Sequence, residues 1–165
     1  MEEFDTEGWL EIYVYFIGFL SLGIYWTLHH YIFHFIKRAN GALVWWNILF
    51  LAVSTLVPFW TRVISAPEGM TTHFLAPFLY GIFMIFTFII LRIIWLYATT
   101  NNYLVGRNFD SRKIQPFNKT LLYGCVMVGI ISAVTVMIPF LGWLLLVVGG
   151  YFIYVTVHGP HKIFK

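Results

Sequence analysis

Residues 9–36 read WLEIYVYFIGFLSLGIYWTLHHYIFHFI, residues 37–42 KRANGA, and residues 43–64 LVWWNILFLAVSTLVPFWTRVI. A helix needs about 20 predominantly apolar residues to cross the ~30 Å of hydrocarbon in a bilayer. Both long blocks reach that length, and the break between them holds Lys37, Arg38, Asn40 and Gly41. The pair reads as a hairpin of two membrane helices. The first, from Trp9 to about Ile36, carries Glu11 near its start and closes with His29, His30 and His34. The second, from Leu43 to about Ile64, ends among Pro58, Arg62 and Pro67.

The same reading extends along the chain. A third block, 74–100, contains one charge, Arg92, and stops at Thr99, Thr100, Asn101 and Asn102. The loop 101–119 sets Arg107, Arg112, Lys113 and Lys119 against Asp110 alone, and Pro116 marks entry to a fourth span, 117–138. The apolar run 117–157 is roughly twice a bilayer for one helix. Pro139, Phe140, Leu141 and Gly142 therefore divide it and leave a fifth span over 143–157, although a proline can also kink a continuous helix. The expected fold is an all-α integral membrane protein of about five transmembrane helices. It forms a single membrane domain, 1–165, with spans at about 9–36, 43–64, 74–100, 117–138 and 143–157.

Composition agrees. Of 165 residues, 60% are hydrophobic, 21% aromatic and 10% charged, with mean hydropathy +0.80, whereas a soluble domain is about a quarter charged. The net charge of +3 does not point to nucleic acid, because the basic residues sit in short segments between apolar blocks, where they set orientation. The partner is the lipid bilayer. Cys125 is the single cysteine and lies in an apolar block, so no intrachain disulfide or cysteine-based metal site is expected. The chain opens with Glu2, Glu3, Asp5 and Glu7 and reaches no Lys or Arg before Lys37, so no signal peptide is read.

Orientation follows from the cations. Lys37 and Arg38, then Arg107, Arg112, Lys113 and Lys119, then Lys162 and Lys165 fall on one side of a five-span chain, which the positive-inside rule makes cytoplasmic. The acidic N-terminus is then outside and the C-terminus inside. Arg62 and Arg92 are left to reach head groups by snorkelling. Gly18 and Ser21 in the first span, and Gly129 and Ala133 in the fourth, are small enough for close helix approach.

Polar groups inside a span are costly, which singles out Trp26, His29, His30, His34, Asn47 and Arg92. Trp26 and His30 are four apart and share a helix face, as do His30 and His34, while His29 points about 100° away. Trp26, His30, His29 and Asn47 are the candidate helix-anchoring network, with His30 reaching a partner on another helix. The alternative is an interfacial belt of amphipathic side chains. His30 and His34 at i, i+4 could ligate a metal or haem. No Asp, Glu or Cys accompanies them in the inner half of any span, so no metal site and no cofactor are expected. No nucleophile and base pair, phosphate loop or pair of membrane carboxylates is present, and the chain does not read as an enzyme. A proton-coupled transporter would need an acid near the midplane, so passive permeation or a structural role is left.

W-T-L-H-H-Y-I-F at 26–33, with Trp26, His29, His30 and Phe33, then Arg38, then Asn47, Leu51, Pro58 and Phe59 in N-I-L-F-L-A-V-S-T-L-V-P-F, resemble a known family. It comprises the prokaryotic relatives of the lysosomal potassium channel called transmembrane protein 175. The resemblance covers about the first 65 residues and places them as the second and third helices of a six-helix unit. It implies potassium-selective channels, tetrameric when each chain has one such unit, with a pore lined by the first helix. In that family an Arg and a Phe-Ser-Asp sequence near the start of the first helix are held by the Trp and His matching Trp26 and His30. That pore-lining helix is missing from this alignment. The expectation is a subunit of a potassium-channel-like oligomer in a prokaryotic plasma membrane, with potassium as the permeant species. It would be a homo-oligomer or would pair with a chain that supplies the first helix. The alternatives are a non-conducting membrane scaffold and a haem- or quinone-linked membrane protein.

Overall fold

The computed structural model describes residues 3–60, 70–100, 104–106, 109 and 111–137, together with 144, 147, 150, 151 and 154. Helix α1 spans Glu3–Phe35, α2 Gly41–Thr55, α3 Met70–Thr100 and α4 Ile114–Met137, the last preceded by a 3-10 turn, Ser111–Lys113. The protein is an all-helical membrane protein. Gly41–Trp60, Phe78–Thr100 and Ile114–Val134 are each long and apolar enough to cross a bilayer. The expected fifth span and the division at 139–142 lie outside the described residues, apart from single positions.

Helix ends follow local chemistry more than hydropathy. α1 begins at Glu3, six residues before the apolar block, so the acidic stretch of the sequence belongs to the helix. Asn40, in extended backbone, caps α2: its Oδ1 accepts from Leu43 N at 3.0 Å. Its Nδ2 donates to Tyr97 Oη at 2.8 Å, which ties the cap to α3. α2 breaks at Leu56 and resumes over 57–60. Pro58 has no N–H for the carbonyl four residues back, and its ring crowds that carbonyl.

α1, α2 and α4 all pack on α3, the central helix. α1 runs alongside α3: Tyr25 Oη donates to the Met84 carbonyl at 3.0 Å and Tyr80 Oη to Ser21 Oγ at 3.2 Å. α3 and α4 approach closely at Gly81, where a Cβ would fall on Cβ and Oγ of Ser132. In lipid the hydrophobic effect does not drive helices together, and close packing and hydrogen bonds take its place. Of the small residues expected at contacts, Gly18 and Ser21 are buried and Gly129 approaches Ile85, while Ala133 is exposed.

At one end the two loops are joined. Lys37 N and Arg38 N donate to the Leu104 carbonyl at 2.9 and 3.2 Å, Gly106 N donates to the Phe35 carbonyl at 3.3 Å, and Ile36 bridges Val105. Beneath this clasp Tyr31, Phe35, Trp95, Phe109 and Phe117 form an aromatic cluster, with Tyr31 on Phe117 at 4.5 Å and Trp95 on Phe117 at 4.8 Å. Trp95 is fully buried and donates Nε1 to the Ile114 carbonyl. The α1–α2 and α3–α4 loops therefore lie at the same end of the bundle.

Candidate functional site

Near that end α1 meets α2 through His29. Its Nε2 lies 2.7 Å from Asn47 Oδ1. An amide oxygen only accepts, so Nε2 carries the proton and donates. The imidazole lies in a stack of rings: Phe33 at 4.3 Å, Phe50 at 4.7 Å and Trp26 at 5.4 Å, with interplanar angles of 26°, 11° and 17°. Residues 26, 29 and 33 are three and four apart on α1, which brings their side chains onto one flank of the helix. Phe50 lies three residues beyond Asn47 on α2, so one flank of α2 supplies both a hydrogen bond and a ring. The ring faces bury the imidazole to 8% exposure and keep water from its bond to Asn47.

The structure thus brings Trp26, His29 and Asn47 together and leaves His30 out. His30, expected to make the interhelical contact, is exposed, as is His34. The reason is the phase of α1. Its buried side, with Ile24, Tyr25, Leu28 and Ile32, turns position 29 toward α2 and position 30 outward. In the basic loop, Arg112 and Lys119 are exposed and Lys113 ends the 3-10 turn, while Arg107 lies outside the described residues. Among the described residues no three of His, Cys, Asp and Glu come together in a group able to hold a metal.

A second feature was not anticipated. Trp9, Ile12, Phe16, Phe19, Gly23, Trp26 and His30 are all exposed. They recur at alternating intervals of three and four, the spacing with which one helix face meets another in a coiled-coil seam. Apart from the backbone of its own helix turn, no atom of the described residues lies within 4 Å of where a Cβ at Gly23 would stand. The face is open along its length, with Trp26 (60% exposed) belonging both to it and to the His29 stack. The spacing is present in the sequence, but α1 is apolar on every side, so nothing there distinguishes this face from the buried one.

Comparison with known proteins places its match on this hairpin. Residues 1–58 match the family described as "Endosomal/lysosomal potassium channel TMEM175". A potassium channel of Streptomyces collinus is 28% identical over 105 residues, 62% of this chain and 50% of that protein. One of Chamaesiphon minutus is 27% identical over 117 residues, 70% of this chain and 57% of that protein. One of a Chryseobacterium species is 37% identical over 60 residues, 36% of this chain and 29% of that protein. The chain thus spans about half the length of the first two of these curated relatives. No solved structure matches. The family match ends just past α2, so the likeness to the TMEM175 family covers the hairpin held by His29 and Asn47.

Proposed function

We propose that the chain is a subunit of a membrane oligomer that conducts potassium passively, and that the open face of α1 packs against another helix of that assembly. The observation that carries the reading is the match of residues 1–58 to a potassium-channel family, over the segment that forms the His29–Asn47 hairpin. Channel naming of the three bacterial relatives supports it. The heptad-spaced face supports the oligomer, because a seam of this spacing accepts helix knobs along its whole length.

Passive conduction fits the charge distribution. Beyond Glu11 no Asp or Glu lies in any apolar block of the sequence, so the acid a proton-coupled carrier would use near the midplane is missing. Potassium is the only cargo this reading requires, and it needs no enzymatic step or resident cofactor. The membrane is the bacterial plasma membrane. The helix that covers Trp26 and His30 is the family's pore-lining helix or a helix of another copy, in a tetramer by family resemblance.

The test is potassium flux into liposomes containing the chain alone and the chain together with a relative that bears the first helix. Flux from either, reduced by Trp26→Ala, is the expected result. No flux from either preparation would remove conduction, and a purified chain that stays monomeric would remove the oligomer.

A further inference from the structure

Arg92 lies inside α3, eight residues before its end at Thr100, about 12 Å along the helix axis. Its side chain is half-buried, and Nε donates to Asn118 Oδ1 at 2.8 Å. That bond holds the guanidinium between α3 and α4 but uses one of its five donors. Among the described residues Glu3, Asp5, Glu7 and Glu11 belong to the opposite end of α1, and none of them pairs with it.

The surroundings are amphipathic. Gln115, one turn before Asn118 on the same face of α4, and Lys119, just after it, are exposed. From Leu121 onward α4 is almost wholly apolar, and Asn118 and Lys119 stand at the polar start of that run. On the apolar side of Arg92, Ile89 lies one turn back along α3 and Leu122 one turn on from Asn118, and both are exposed. Two cations thus stand at the boundary, at the head of an exposed apolar strip. A soluble anion would use only the cations; a lipid uses both parts.

We propose that Arg92, oriented by Asn118 and assisted by Lys119, binds the phosphate of an anionic phospholipid whose acyl chain lies along Ile89 and Leu122. Asn118 is the positioning residue: by accepting the hydrogen bond from Nε–H it aims the two terminal nitrogens of the guanidinium, the fork that matches a phosphate. Two cations at one headgroup favour a lipid of net negative charge over a zwitterionic one.

The test is native mass spectrometry of the full chain released from detergent micelles doped with phosphatidylglycerol or phosphatidylcholine. The wild-type chain is expected to retain phosphatidylglycerol preferentially. Arg92→Gln and Lys119→Gln should each lower that retention by about fivefold, the worth of one cation at a membrane surface, and leave phosphatidylcholine retention unchanged. Asn118→Leu should act in the same direction while keeping both charges. Lys119 is exposed, so its variant tests the site even if Arg92→Gln fails to fold. Equal retention of the two lipids by the wild-type chain, undiminished phosphatidylglycerol retention in Lys119→Gln, or displacement of the lipid by inorganic phosphate would each overturn the assignment.

Discussion

At the scale of single residues, His29 carries two kinds of interaction that substitution can separate. His29→Ala removes the donor to Asn47 and leaves the amide oxygen unpaired where water is scarce, a loss of about 1–3 kcal/mol. Phe50→Leu keeps the hydrogen bond and removes one ring face, for about 0.5–1.5 kcal/mol. Unfolding of the purified chain in mixed micelles should therefore rank the wild type above Phe50→Leu, and Phe50→Leu above His29→Ala. His30→Ala should unfold with the wild type, because that imidazole is exposed. A His30→Ala loss as large as that of His29→Ala would contradict the contact described at 2.7 Å.

At the scale of elements, the α3–α4 contact depends on one missing side chain. Gly81→Ala places a Cβ on the Ser132 side chain, and the helices must part or shift, at about 1–3 kcal/mol. Gly23→Ala is the control. It meets nothing within 4 Å and replaces glycine with the best helix former, so the chain should be unchanged or more stable by up to about 1 kcal/mol. The same micelle unfolding assay compares them, and Ser132→Gly combined with Gly81→Ala should recover part of the loss, since neighbouring sites couple. Full stability in Gly81→Ala would mean that α3 and α4 do not approach there.

At the scale of the whole molecule, the joining of 35–38 to 104–106 puts both basic loops at one end of the bundle. By the positive-inside rule that end is expected to face the cytoplasm. Reporter fusions after Asn40 and at Gly106 should both be active in the cytosol, and a fusion at Glu7 outside; loops reporting from opposite sides would break the bundle itself. Assembly belongs to this scale too. Trp26→Ala should weaken cross-linking between copies more than it weakens unfolding stability, because the indole is 60% exposed on the open face of α1. Equal cross-linking in the variant would detach that face from the oligomer.

Hydropathy alone is enough to read an all-helical membrane protein from this chain. Hydrocarbon thickness acts on the length of an apolar run, and a helix needs no neighbour to satisfy its backbone, so blocks such as 43–64 and 74–100 were legible without packing information. The sequence also singled out Trp26, His29 and Asn47 as costly polar or amphipathic groups within spans, and the hairpin motif over which the family match runs. Which histidine meets Asn47 depends on how the helices pack. Neighbouring positions differ by about 100° around a helix, and α1, apolar on all sides, has no polar face from which its rotation could be read. The same holds for Gly81 against Ser132 and Arg92 against Asn118: each pair is distant in sequence and meets only once the rotation and height of two helices are set by packing in a solvent that does not distinguish their faces.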